Sequence, residues 1–133
     1  MGQSISPVLV IDDDRQVQEI IRLALEQDGL VVDTAADQEE ALALAAANRP
    51  ALVVLDIKLF KSSGFEVAAA LRAEHGEELP ILTITSDGHA AEKASKVGSY
   101  AYLEKPFDLT RLVAAVRQGL GDQGLPIGIS GPS

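Results

Sequence analysis

The sequence predicts an α/β protein in which a parallel β-sheet is covered by helices on both faces. Strand-sized apolar runs alternate along the chain with segments of helical periodicity, and five such strand–helix units follow one another. Several of the runs are apolar throughout, which is typical of strands buried on both faces. With 133 residues, 47% of them hydrophobic and 23% charged, the chain has the size and composition of one globular domain.

The first two units are indicated by periodicity and by a residue that ends a helix. Residues 8–11 are apolar throughout and predict the first strand. Gly29 is in position to end the helix that follows, whose apolar face consists of Val17, Ile20, Ile21, Ala24 and Leu25. Val31 and Val32 predict a short second strand, and the alanine-rich residues 38–48 have high intrinsic helix propensity.

The last three units are separated by residues that interrupt regular structure. Pro50, Pro80 and Gly98 precede the third, fourth and fifth strands. Asp108 is placed to cap the last helix, whose apolar stripe consists of Leu109, Leu112, Val113, Val116 and Leu120. The predicted strands of these units are residues 51–55, 81–84 and 100–104. The helices that follow them are predicted over residues 64–74, 90–97 and 109–120.

Polar side chains stand at the ends of four predicted strands. Asp12 and Asp13 follow the first strand, and Asp56 follows the third. Thr85 ends the fourth strand, and Lys105 comes after the fifth. Ligands of parallel α/β sheets bind at the carboxyl ends of the strands, where clustered carboxylates repel one another unless a hard cation such as Mg²⁺ lies among them. A threonine and a lysine suit an added phosphoryl group, so the set predicts metal-assisted phosphoryl transfer.

Four motifs occur in a fixed order between residues 8 and 107, and they are VLVIDD, VVLD, ILTITS and YLEKPF. Gly64 lies eight residues after Asp56. By these motifs the chain resembles the receiver domain of two-component response regulators, the chemotaxis-regulator type included, over residues 7–120. The resemblance implies a doubly wound, flavodoxin-like (βα)₅ fold with strand order 2-1-3-4-5. Residues 121–133, rich in Gly, Pro and Ser, are expected to be a flexible tail or the start of a linker.

The resemblance assigns roles to the acidic residues. It implies that Asp56 is the phosphoacceptor and receives a phosphoryl group from a phosphohistidine on a sensor histidine kinase or a phosphotransfer protein. It also implies Mg²⁺ as the cofactor, bound by Asp12, Asp13, Asp56 and the backbone carbonyl of Lys58. Asp14 extends the acidic run and is interpreted as the N-cap of the first helix.

The resemblance also implies a conformational switch. Thr85 and Lys105 would bind phosphoryl oxygens, Tyr102 would be the switching aromatic residue, and the peptide bond before Pro106 is expected to be cis. The output would be an altered protein-interaction surface, so the domain would catalyse only its own phosphorylation and dephosphorylation. The expected partners are a kinase or phosphotransfer protein and an output domain or protein of unknown identity. A homodimer could form through the face made by helix 4, strand 5 and helix 5.

Two of the residues that follow the phosphoacceptor differ from those usual in the resembled family. Leu59 and Phe60 stand where the family usually has Met-Pro, and Phe60 lacks the ring that stiffens this loop. Lys58 is unusual beside a metal site, because its ammonium group could reach the acidic residues and compete with the cation. Alternatively, the Lys58 side chain points to solvent and contributes only its carbonyl.

Two other functions share features of this sequence. The acidic start of the chain also resembles haloacid-dehalogenase-type phosphatases, in which Asp12 would be the nucleophile, Asp14 the general acid, and Thr85 and Lys105 the phosphate ligands. That family expects a glycine after the second aspartate, where this chain has Arg15-Gln16. A pseudo-receiver that keeps the fold without using phosphate is the third possibility. The expected residue types at all five site positions argue against it, and only Lys58 and Phe60 support it.

Composition excludes several other classes. The chain has no cysteine, which excludes disulfides, thiolate catalysis and cysteine metal sites. Its formal net charge of −9 opposes direct binding to nucleic acids or anionic lipid surfaces. The first residues have neither the basic start nor the apolar core of a signal peptide, and no apolar run is long enough to span a membrane. A cytoplasmic location is therefore expected.

Overall fold

The computed structural model describes residues 6–59, 63–86 and 88–121. Within these residues five strands alternate with five helices, and the elements are β1 (Val8–Ile11), α1 (Arg15–Gln27), β2 (Val32–Ala35), α2 (Gln38–Ala47), β3 (Leu52–Asp56), α3 (Gly64–His75), β4 (Ile81–Thr85), α4 (Ala90–Val97), β5 (Ala101–Glu104) and α5 (Leu109–Gly119). Among them, no helix has the length and apolar character needed to cross a membrane. The predictions about Phe60 and about the tail beyond Gly121 concern residues outside these ranges.

The described strands form one parallel sheet in the order β2-β1-β3-β4-β5. This order confirms the doubly wound, flavodoxin-like (βα)₅ fold. The chain runs from β1 to β2 on one side and then crosses from β2 to β3 on the other side of β1, and such a reversal opens a crevice at the carboxyl edge of a sheet. The register pairs Ile11 with Leu55, so the next residues of the two strands, Asp12 and Asp56, are neighbours at this crevice.

The core lies in two layers, one on each face of the sheet. Side chains that alternate along the strands pack on one face against α2, α3 and α4, and on the other face against α1 and α5. β1 and β3 are buried along their whole length, because helices cover both of their faces. This packing makes the central strands a rigid support for the residues at their carboxyl ends.

Two of the sequence predictions differ from the structure. The second strand is Val32–Ala35 instead of Val31–Val32; it lies at the edge of the sheet, where its polar residues are tolerated. The predicted apolar face of α1 is only partly buried. Ile21 and Leu25 are fully buried, whereas Ile20 is 50% exposed, because it lines an open groove between α1 and α5 instead of facing the sheet. The other predicted bounds agree with the structure to within one residue.

Candidate functional site

Three carboxylates meet at the carboxyl edge of the sheet. Asp12 and Asp13 follow β1, and Asp56 ends β3. One oxygen from each residue can be chosen so that all three oxygens lie within 4.8 Å of one another. Asp12 is fully buried, Asp56 is 4% exposed, and Asp13 is exposed. The structure therefore brings together the three acids that the sequence places at strand ends, in an arrangement that can hold a divalent cation.

Lys105 is the cation that the structure places against the two buried acids. Its Nζ lies 2.9 Å from Asp12 Oδ2 and 3.1 Å from Asp56 Oδ2. The Lys105 N–H donates to the Thr85 carbonyl at 2.8 Å, which anchors the end of β5 beside β4. The Lys105–Pro106 peptide bond is cis, as the resemblance predicts. One lysine thus contacts two buried carboxylates, with the third carboxylate nearby.

The surroundings of Asp56 are unfavourable for its negative charge. Burial, and then the charge of Asp12, raise the pKa of Asp56 to about 6, although Lys105 opposes the rise. For Lys105 burial lowers the pKa, but the hydrogen bond to Asp12 and the charge of Asp56 outweigh burial, so the pKa is raised overall. Lys105 therefore stays protonated near neutral pH. A divalent cation would relieve the remaining repulsion between the acids.

The loop after β3 holds the Asp56 carboxylate in place. The Lys58 N–H donates to Asp56 Oδ1 at 3.0 Å, while Oδ2 faces Lys105. The Gly64 N–H donates to the Ile57 carbonyl at 3.0 Å, and a Cβ at position 64 would lie 2.6 Å from Ile57 Cα. Only glycine permits this approach of the loop to α3. The spacing of Gly64 from Asp56 therefore reflects a close backbone contact beside the site.

The sequence leaves two interpretations of Lys58 open: its ammonium group either reaches the acidic residues or points to solvent. Its backbone N–H contacts Asp56, whereas the residue as a whole is exposed. This exposure favours the interpretation in which the ammonium group points to solvent and only the main chain of Lys58 takes part in the site.

Replacing Lys58 with alanine should therefore leave the Mg²⁺ affinity within about twofold of the wild-type value, because an exposed, screened charge contributes little to binding. Titrations of Mg²⁺ into both proteins at low ionic strength, followed by NMR, measure the two dissociation constants. Clearly tighter binding by Lys58→Ala would mean that the ammonium group reaches the acidic cluster.

Thr85 and Tyr102, to which the resemblance assigns switching roles, lie on the adjacent strands β4 and β5. Thr85 ends β4 and is fully buried, and the register pairs its neighbour Ile84 with Asp56. Tyr102 lies on the edge strand β5 and is 44% exposed. Their switching roles remain predictions.

Asp14 belongs to the helix and not to the carboxylate cluster. It is the N-cap of α1, and its side chain accepts hydrogen bonds from the N–H groups of Gln16 at 2.9 Å and Val17 at 3.4 Å. This confirms the N-cap interpretation. The same contacts are unfavourable for the phosphatase interpretation, in which Asp14 would act as a general acid.

Gln18 is a residue of the site region that sequence reasoning missed. Its side chain is 3% exposed, and its Nε2 donates to the Asp12 carbonyl at 2.6 Å and to the Ala35 carbonyl at 3.2 Å. A signal was present in the sequence, because Gln18 lies three residues before Ile21 and seven before Leu25. A polar residue at helical spacing on the buried face of a helix indicates a specific buried hydrogen bond.

Fold and site together define a class of protein, a doubly wound parallel α/β domain with an acidic site at the carboxyl edge of its central strands. The family model described as the response regulator receiver domain matches residues 8–117. Response regulator MprA of Mycobacterium sp. (strain KMS) is 43% identical over 112 residues, which are 83% of this chain and 48% of that protein.

Two solved structures are similar to this chain in both fold and sequence. The chemotaxis protein CheY4 of Vibrio cholerae superposes with a TM-score of 0.79 at 30% identity, covering 86% of this chain and 98% of that one. The receiver domain of NtrX from Brucella abortus gives a TM-score of 0.80 at 31% identity, with coverages of 86% and 98%.

The chain belongs to the response regulator receiver family, a family of signalling switches in two-component systems. It spans about half the length (48%) of the mycobacterial response regulator that it matches.

Proposed function

We propose that this receiver domain is a phosphoacceptor switch in which Asp56 takes a phosphoryl group from a phosphohistidine of a sensor histidine kinase or phosphotransfer protein. The observation that carries the proposal is the buried Asp56 carboxylate at the end of the central strand, held by Lys105 and by the Lys58 N–H and adjacent to two further acids. In the reaction an Asp56 oxygen forms a bond to phosphorus while the phosphorus–nitrogen bond of the donor breaks. The acyl phosphate formed is labile, which suits a reversible signal.

The residues present fit a divalent cation. The carboxylates of Asp12, Asp13 and Asp56 would hold it together with the carbonyl of Lys58, an all-oxygen set of the kind that Mg²⁺ prefers. Bound Mg²⁺ supplies charge neutralisation for the oxygens of the phosphoryl group. Lys105, which already contacts the acceptor carboxylate, would pair with another phosphoryl oxygen.

The proposed output is a change of surface. A phosphoryl group on Asp56 would offer the Thr85 hydroxyl a new acceptor, and movement of that hydroxyl would leave space into which Tyr102 could turn. The face made by α4, β5 and α5 would change shape, and an output domain, a separate protein or a second copy would bind there. The shift requires only a few kcal/mol of differential contact energy between two existing states.

The proposed unit spans residues 7–120, which contain the segment that the family model matches, and residues 121–133 would be a tail or linker. Because the phosphoryl group comes from a kinase that uses ATP, the proposed function requires a cytoplasmic location.

Beryllofluoride, a mimic of the bound phosphoryl group, tests the switch. With Mg²⁺ present it should shift the NMR signals of Thr85, Tyr102 and residues across the α4–β5–α5 face, because the change at Asp56 is passed through β4 to that face. The matched control is Asp56→Asn, whose signals should not respond to beryllofluoride.

Shifts confined to the site would contradict the proposed switch. If the shifts stay confined to the loops around Asp13, Asp56 and Lys105, the protein binds the mimic without switching. The domain would then be a phosphate sink or a pseudo-receiver, and the proposed output surface would be wrong.

A further inference from the structure

The amide side chain of Gln18 is buried beneath the turn that carries the acidic residues. Its nitrogen donates to two main-chain carbonyls, those of Asp12 at 2.6 Å and Ala35 at 3.2 Å. Its oxygen accepts from Arg15 Nη1 at 3.4 Å. Each polar atom of the amide therefore has a partner, although the residue is only 3% exposed. A fully satisfied buried amide is specific to one backbone geometry.

The two carbonyls lie at the ends of adjacent strands. Ile11 and Ala35 are the last register partners of β1 and β2, and the Asp12 N–H still donates to the Ala35 carbonyl at 3.1 Å. The register of the two strands ends at this pair. Gln18 bridges the Asp12 and Ala35 carbonyls there, so α1 extends the connection between β1 and β2 by one residue. The main chain of Asp12 is thus held where it leaves the sheet.

The contacts of Asp12 differ in how they depend on charge. Its Oδ2 pairs with Lys105, a contact that must change when a cation or a phosphoryl group alters the charge of the site. Its Oδ1 accepts from the Asp14 N–H at 2.9 Å. The bond from Gln18 to the Asp12 carbonyl involves no charged group and no atom that would bind a cation. It can therefore persist while the side-chain contacts rearrange.

We propose that Gln18 is a positioning residue, which holds the main chain at Asp12 and Asp13 in the arrangement that lets their carboxylates bind a divalent cation together with Asp56. This inference rests on the proposed phosphoacceptor function. Gln18 would touch neither a cation bound by the carboxylates nor a phosphoryl group on Asp56. It acts through the Asp12 carbonyl, and through the Asp13 carboxylate that the same turn presents.

The test compares two identical substitutions in α1. Gln18→Met keeps the length of the side chain but removes both donated hydrogen bonds, whereas Gln16→Met alters an exposed side chain of the same helix. Mg²⁺ titrations followed by NMR should give a dissociation constant raised about tenfold for Gln18→Met, the low end of what loss of an orienting partner costs a metal site. Gln16→Met should bind like the wild type.

A further control separates positioning from stability. Leu25→Ala opens a cavity in the same helix, at a fully buried residue far along α1 from Asp12. It should lower the melting temperature while leaving the Mg²⁺ dissociation constant unchanged. In the cation-free Gln18→Met protein, by contrast, the amide signals of Asp13 and Asp14 should already be displaced. If Gln18→Met does not fold, Gln18→Asn is used, because its shorter amide cannot reach both carbonyls.

Each outcome has a distinct meaning. Mg²⁺ binding within about twofold of the wild type in the folded Gln18 variant overturns the positioning role and leaves the phosphoacceptor function intact. An equal loss of affinity in Leu25→Ala also overturns it, since the effect would then follow stability alone. A wild-type protein that binds no Mg²⁺ overturns the proposed function itself.

Discussion

Replacing Asp56 with asparagine should stabilise the protein by about 2 kcal/mol near neutral pH when divalent cations are removed. Burial and the charge of Asp12 raise the pKa of Asp56 to about 6, so its ionised form is less favourable in the folded state than in the unfolded chain. Asparagine has nearly the same shape and no charge. The proposed catalytic residue is thus expected to cost the apo protein stability.

The pH dependence of this effect has a definite sign. Because the pKa of Asp56 is raised on folding, its contribution to the free energy of unfolding falls as pH increases from about 4 to about 6 and stays constant above. The advantage of Asp56→Asn should therefore be small in acid and reach its full size near neutral pH. Urea unfolding of both proteins with a chelator present, at acidic and neutral pH, measures the difference.

Two controls accompany the Asp56 measurement. Asp14→Asn removes the same charge from an exposed residue near the site and keeps an N-cap, so it should change stability by less than about 0.5 kcal/mol. Millimolar Mg²⁺ should reduce the difference in the free energy of unfolding between Asp56→Asn and the wild type. The cation binds the folded wild type more tightly than the folded variant and therefore stabilises the wild type more. An advantage that is larger in acid than at neutral pH would contradict the electrostatic explanation.

Lys105→Met should have the opposite and larger effect, a loss of about 3 kcal/mol near neutral pH without cations. The substitution leaves the carboxylates of Asp12 and Asp56 buried without the ammonium group that now lies 2.9 and 3.1 Å from them. The loss should shrink toward about pH 5, where Asp56 becomes protonated. Added Mg²⁺ should restore part of the stability. Urea unfolding followed by circular dichroism, at both pH values and with and without Mg²⁺, measures these changes in the free energy of unfolding.

The control for Lys105 is Lys96→Met, which removes the same charge from an exposed position at the end of α4. It should change stability by no more than about 0.5 kcal/mol. A Lys105→Met protein as stable as this control would mean that water, and not Lys105, compensates the two buried acids.

The elements that could be predicted from sequence are those whose signal is local. The runs that end in Asp12 and Asp56 are apolar because their strands are covered on both faces, and parallel strands bring such ends to one edge. The fold and the meeting of the acids therefore follow from patterns along the chain. The strand order came from the family resemblance, since periodicity alone does not specify which strands are neighbours.

The features that could not be predicted depend on how distant segments pack. The helical spacing of Gln18 indicates its burial, but not its partners, and only the approach of β2 gives it the Ala35 carbonyl as a second acceptor. Ile20 fits the apolar face of α1, but the position of α5 places it at an open groove. The need for glycine at position 64 arises from a contact with Ile57 across a loop. Tertiary contacts of this kind have no local signature.

The identity of the phosphorylated residue is the most direct test of the proposed function. The protein is treated with acetyl phosphate and Mg²⁺, then with borohydride, which reduces an aspartyl phosphate to homoserine, and peptide mass spectrometry locates the change. We expect homoserine in place of Asp56 in the wild type and none in the Asp56→Asn variant. Homoserine in place of Asp12, or any in the Asp56→Asn variant, would contradict the assignment of Asp56 as the phosphoacceptor.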